Sequence, residues 1–444
     1  MIARILDKGK DMDKRYLILC LFVAILSGIG IIFWPKDWAG WLVLGISFFL
    51  VFFFDEVYEN KTLLFVFVFI LFCHHLVSIF NAYVTLIPGA TKDAVSFHQK
   101  ALSFTYDRFL QTGFMGASSY IILLHFFYKL CPSRFFGQEM GVLAFLFSGV
   151  LFIKFQTLFE ITQARVASLL LFGLMPPTLL WTSVELREVW QLFFLMFGLY
   201  YGLKWKLERK TNYFLFFLIG LIAAALLQVG LFVAIPMVFG FFVICPRNKS
   251  LSWQVLFHVC LLMGGVFLFL ILFSFGLSFF WTTQRGFGPV VYLYHLHPLS
   301  LINQVRSQID IGNINYYVPV FKGHFLRIIS LFLMWIYYLF SPFPWMVNHI
   351  KYLVLLLNAW AQIFLFAASI LYIDRLHSYL KNFGVLMFSV YLIITFVFAL
   401  GIGNYGTVLR HQIITNWIII LFGTPFIMWF LMSFFEKITA YEKN

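Results

Sequence analysis

The chain has 444 residues, 62% of them hydrophobic, 21% aromatic and only 11% charged, with a mean hydropathy of +0.92. A soluble domain carries roughly 25% charged residues, so an ordinary soluble protein is excluded. The net charge of +13 does not point to nucleic acid, because Lys and Arg sit in short clusters between apolar runs and no basic soluble domain exists to carry them.

Repeated apolar runs of spanning length predict a polytopic membrane protein. Backbone groups in hydrocarbon must be satisfied within the segment, so the spans are read as helices. The alternation of barrel strands is absent. The fold expected is all-α, a single integral membrane domain over residues 1–444 with roughly 11 to 13 crossings and no soluble domain. Five scattered cysteines, Cys20, Cys73, Cys131, Cys245 and Cys260, form no CxxC pair and indicate neither a zinc site nor a disulfide framework.

Arg4, Lys8, Lys10, Lys14 and Arg15 place the N-terminus in the cytoplasm by the positive-inside rule. No small-residue cleavage site follows them, so the first run is read as a retained span. Spans at 17–33, 41–54 and 63–84 then leave residue 93 on the outer face. His74 and His75 lie inside the third of these and are read first as a packed polar pair, with a place in the cavity wall as the alternative.

The loop 85–112 follows, with Val95, Phe97, Leu102 and Phe104 on an amphipathic helix at the outer interface. It holds Asp93 and His98. A carboxylate there can take a proton from an attacking hydroxyl. It can equally cap the N-terminus of its own helix.

A span at 114–127 is expected to return to a basic inner loop, 129–134. Lys204, Lys206, Arg209 and Lys210 mark the next inner loop, so the turn at 181–187 faces out. An odd number of crossings is then needed between 134 and 181, where the chain offers two apolar runs, 141–155 and 166–180. One of the two is expected to be re-entrant or interfacial. The outward turn carries Glu185, Arg187 and Glu188, which suit a phosphate held by an oriented guanidinium.

The run 213–244 is too long for one span and breaks at Gln228-Val229-Gly230. A span at 255–275 leads into the longest polar stretch, which holds His295, His297, Arg306, Lys322 and His324. Residues 281–350 are read as an outer loop ending in a re-entrant piece broken by Pro342 and Pro344. Spans at 352–373 and 385–400 flank an inner loop with Asp374, Arg375 and Lys381. Arg410 opens the last span, 412–434, at the outer face. Four polar outer segments thus converge on one side. No P-loop, GxGxxG turn or GxSxG elbow is present, so nucleotide chemistry has no visible home.

Asp93-Ala94-Val95-Ser96-Phe97-His98-Gln99-Lys100-Ala101 resembles the Asp-x-x-x-aromatic-His-x-x-Ala signature in the first large outer loop of GT-C fold glycosyltransferases. The turn from Pro176 to Glu188, the Pro342-Phe343-Pro344-Trp345 turn and the stretch from Asn404 to Arg410 are similar to features of that group and of bacterial polysaccharide-assembly proteins. The resemblance implies sugar transfer from a polyprenyl-phosphate donor to a lipid, glycan or protein acceptor, at the periplasmic face of a bacterial inner membrane. It makes Asp93 the catalytic base. It makes Arg187 and Arg410 the holders of lipid phosphate; the polar outer segments themselves add His98, Glu185, Glu188, Arg306 and His324 as candidate substrate-binding residues, with no cofactor certain and a divalent metal left open. Two departures stand out: the Asp93 loop follows the third span rather than the first, and no large soluble C-terminal domain follows. An O-antigen polymerase or ligase, working through Arg306, Arg410 and histidines on lipid-diphosphate-linked glycans, is the competing enzyme. A transporter of lipid-linked sugars is the non-enzymatic alternative, although no internal duplication supports it.

Overall fold

A computed structural model describes residues 14–87, 91–105, 116–244, 324–347, 353–401 and 405–441. Among them the chain is helical throughout, with no strand. The helices longer than the single turn Asp55–Tyr58 are α1 (Lys14–Phe33), α2 (Trp38–Leu50), α3 (Lys61–Tyr83), α4 (Thr91–Leu102) and α5 (Ala117–Tyr128). They continue with α6 (Arg134–Leu158), α7 (Arg165–Leu174), α8 (Pro176–Thr182), α9 (Glu188–Glu208), α10 (Thr211–Leu227) and α11 (Val229–Ile244). The last are α12 (His324–Phe340), α13 (Leu353–Arg375), α14 (Ser378–Gly401) and α15 (Tyr405–Tyr441).

Six described helices are long and apolar enough to cross a membrane, or seven if α7 and α8, bent by 56° at their junction, form one span. The protein is an all-α polytopic membrane protein. The predicted span at 255–275 and the loop with Arg306 lie outside the described residues.

Helix starts follow local chemistry. Asn60 caps α3 by accepting from the Leu63 N–H at 3.0 Å. Ser133 does the same for α6 through the Phe136 N–H at 3.3 Å. Pro176 and Pro177 occupy the first turn of α8, where a missing N–H costs nothing, and they force the bend from α7.

The region from 114 to 182 runs differently from the sequence expectation. Helix α5 is only 12 residues, about 18 Å long. The Gly116 N–H, just before it, donates to the Leu226 carbonyl at 2.7 Å. Its far end, Tyr128, reaches Glu185. Leu226 and Glu185 lie at the same end of the bundle, since Gln191 in the first turns of α9 donates to the Leu227 carbonyl at 3.0 Å. Helix α5 therefore starts and finishes on one side and does not cross. With that crossing removed the parity problem disappears: α6 is long and apolar enough to cross, and α7 with α8 forms a bent pair, a broken span or a re-entrant loop, that leads back to the 183–187 loop. The basic segment 129–134 sits on the same side as Asp93.

Two kinds of contact join the helices. Gly198 and Gly220 let α9 and α10 touch backbone to backbone: a Cβ on Gly220 would lie 2.5 Å from the Gly198 nitrogen. Small residues permit such approach in membranes, where apolar burial drives nothing. Helices α13 and α15 are instead tied by polar side chains, with Gln362 donating to Gln412 at 2.8 Å and Ser369 to the Ile419 carbonyl at 2.9 Å. Trp417, fully buried in the core, packs on Phe155 with ring centroids 4.7 Å apart.

Candidate functional site

One end of the bundle gathers the α1–α2 turn, α4, the tip of α5, the start of α6, the 183–187 loop, and the starts of α9 and α15. Within it Arg410 is the central cation. Its Nη1 donates to Asp93 Oδ2 at 2.5 Å, and its Nη2 donates to Glu188 Oε1 at 2.8 Å. Its Nε reaches the same Glu188 oxygen at 3.3 Å. The Arg410 side chain is 8% exposed and that of Glu188 is fully buried, whereas the Asp93 side chain is 53% exposed. The bridge therefore runs from the interior to the mouth. Arg187 adds positive charge beside Glu188, and the His411 ring lies near it.

Asp93 is the third residue of α4, not its cap. Among the described residues its carboxylate accepts from Arg410. An acid in the first turn still complements the helix dipole.

A second chain of contacts starts five residues further along α4. His98 Nδ1 lies 2.7 Å from the Tyr128 hydroxyl. That hydroxyl donates to Glu185 Oε1 at 2.5 Å. The other carboxylate oxygen, Glu185 Oε2, is buried without a hydrogen bond, 3.6 Å from His98 Nδ1. Glu185 sits in the loop between α8 and α9. Burial pushes its carboxyl up to about 8, against the lowering effects of the Tyr128 hydrogen bond and the Arg134 charge. Burial lowers the His98 imidazole, and the Arg134 charge lowers it further. Gly137 leaves room for this chain, since a Cβ there would lie 2.9 Å from the Tyr128 hydroxyl and 3.2 Å from Glu185 Cδ.

A third cluster lies deeper. His75 Nδ1 is 2.7 Å from Glu139 Oε2, and its Nε2 is 2.8 Å from Ser47 Oγ. His74 meets the Thr182 and Ser183 hydroxyls at 2.9 Å and the Gly173 carbonyl at 3.0 Å. All are buried. The histidines are thus a packed polar pair, tying α3 to α2, α6, α7, α8 and the loop after α8. The Ser47–His75–Glu139 order matches a nucleophilic triad in outline. Ser47 is fully buried and its hydroxyl also donates to the Leu44 carbonyl at 2.7 Å, so the cluster reads as interhelical bonding.

Of the residues expected to form the site, the structure brings together Asp93, His98, Glu185, Glu188 and Arg410, with Arg187 beside them. Arg306 lies outside the described residues. His324 opens α12, and its side chain is likewise outside them. Sequence reasoning missed Tyr128 and Arg134, because residues 129–134 were assigned to the opposite face. It also missed Glu139, whose signal was a lone acid in the apolar run after Arg134. Among the described residues no three His, Cys, Asp or Glu side chains gather to hold a metal ion.

No family model, no curated protein and no solved structure matches the chain.

Proposed function

We propose that this protein is a membrane glycosyltransferase moving a sugar from a polyprenyl-phosphate donor to a hydroxyl of a lipid, glycan or protein acceptor. The observation that carries the reading is the Asp93–Arg410–Glu188 bridge, which joins residues 317 and 222 positions apart at one mouth of the bundle. A buried cation with one fixed and one exposed carboxylate suits an anionic ligand, because the ligand can replace the exposed partner without stranding a charge.

The lipid phosphate displaces Asp93 from Arg410 Nη1, while Glu188 keeps the guanidinium in place. Arg187 adds charge on the same side. The freed Asp93 carboxylate takes the proton of the acceptor hydroxyl as that oxygen attacks the anomeric carbon. The bond from the anomeric carbon to the phosphate oxygen breaks, and the polyprenyl phosphate leaves with its charge held by the arginines. On this reading the mouth opens to the periplasm of a bacterial inner membrane, with the N-terminus in the cytoplasm.

The test is transfer of a radiolabelled sugar from its polyprenyl phosphate in membranes carrying Asp93→Asn. The expected loss is about 10²- to 10⁴-fold, the usual contribution of a positioned base. Full transfer by a folded Asp93→Asn protein would refute the role of Asp93. If Arg410→Ala abolished glycan assembly while Asp93→Asn did not, the polymerase or ligase reading would replace this one.

A further inference from the structure

The contacts of His98 follow from donor and acceptor counts alone. The Tyr128 hydroxyl has one proton. When it donates to Glu185 Oε1, its oxygen accepts from His98, so His98 carries its proton on Nδ1. Its Nε2 is then a bare acceptor. Among the described residues nothing hydrogen-bonds that Nε2, and the side chain is 20% exposed. The opposite arrangement is equally satisfied: Glu185 holds a proton and donates to Tyr128, Tyr128 donates to His98 Nδ1, and His98 carries its proton on Nε2. The two arrangements differ by one proton, which enters at Nε2 and comes to rest on Glu185.

We propose that His98, Tyr128 and Glu185 form a proton relay, which accepts a proton from a hydroxyl-bearing ligand at His98 Nε2 and stores it on the buried Glu185. The ligand O–H bond breaks and an Nε2–H bond forms. The Nδ1–H proton passes to the Tyr128 oxygen, and the former Tyr128 proton passes to Glu185 Oε1. The ligand oxygen keeps its electron pair and no other co-reactant is needed. The ligand class is an alcohol such as a sugar hydroxyl. The relay rests on the sugar-transfer reading for that class alone, and adds a second proton acceptor beside Asp93.

The surroundings agree. Glu185 faces His98 from α4, Tyr120 and Tyr128 from α5, and Arg134 from α6. Burial, the largest influence on Glu185, holds it at about 8, against which Arg134 acts more weakly, so the relay takes up a proton only in the molecules whose Glu185 is ionised, a fraction that grows as pH rises through about 8. A carboxyl whose folded value is raised holds its proton below that value. Glu185 is therefore neutral below about 8, with the His98 proton on Nε2. Above it Glu185 is ionised and the His98 proton sits on Nδ1.

The test is the tautomer of His98, read from ¹⁵N chemical shifts of the histidine-labelled full chain in lipid nanodiscs, with the signal assigned through His98→Gln. The expected result is a switch from Nε2–H to Nδ1–H as pH rises through about 8, which vanishes in Tyr128→Phe and in Glu185→Gln. A single tautomer throughout the wild-type titration overturns the proposal, and so does a switch that survives Tyr128→Phe. Glu185→Gln decides the matter if Tyr128→Phe fails to fold. The spectrum needs no turnover. Absence of sugar transfer with the switch intact would sink the transferase reading and leave the relay standing.

Discussion

Glu185 ties pH to stability. Its carboxyl is held at about 8 in the fold against an ordinary value of 4.5, so between those limits the folded state binds more protons than the unfolded one. Stability is then full below the ordinary value and falls as pH rises through about 8. Unfolding midpoints measured across that range should decline in the wild type and flatten in Glu185→Gln. Glu139 gives a second prediction. It is fully buried and faces His75 at 2.7 Å, so Glu139→Ala strands a buried imidazole among apolar helices. Leaving a buried hydrogen-bonding group without its partner costs about 1–3 kcal/mol, and a denaturant titration should show a loss of that size. Asp93 differs: it is half exposed, and Asp93→Asn should leave stability nearly unchanged while acting on transfer. Asp93, His98 and Glu185 were legible in the sequence because polar residues beside long apolar runs stand out. Their partners were not: pairing Asp93 with Arg410 spans 317 positions, and no local pattern encodes it.

Helix α5 shows why one short element distorted the sequence topology. Hydropathy registers that Ala117–Tyr128 is apolar, but not that 12 residues fall short of a bilayer. Counting it as a crossing moved Tyr128 and Arg134 to the wrong side and created the demand for an odd number of crossings between 134 and 181. The bent α7–α8 pair was hidden for a related reason, since the bend at Pro176 divides the apolar run into two short helices. The α9–α10 pair supplies a test of packing. A methyl on Gly220 would press into the Gly198 backbone at 2.5–2.6 Å, which only separation of the helices relieves. Gly220→Ala should cost about 1–3 kcal/mol, the usual penalty of overpacking. Gly28, with nothing within 4 Å of its added methyl, is the control, and Gly28→Ala should not lower the unfolding midpoint.

The bundle has two chemically distinct ends. One holds the Asp93–Arg410–Glu188 bridge, the His98–Tyr128–Glu185 chain and Arg134. The other holds Lys204 and Lys210 on Glu208, Lys381 on Asp374, and Arg375 stacked 3.8 Å over the Trp429 ring. Composition made the membrane class plain. The gathering of outer segments was half visible, as a shared side for residues 93, 187 and 410. The assignment of 129–134 to the far side was not supported, so labelling can check it: single cysteines at Gln99 and Lys129 should react with an impermeant thiol reagent from one side of sealed vesicles, and a cysteine at Lys210 from the other. The claim on which the site depends is that the starts of α9 and α15 meet through Glu188 and Arg410. A double-mutant cycle of Glu188→Gln and Arg410→Gln, read by unfolding free energy, tests it most directly. Contact predicts that the double mutant departs from the sum of the singles by about 0.5–3 kcal/mol, while additivity within about 0.3–0.5 kcal/mol would mean that the two side chains never touch.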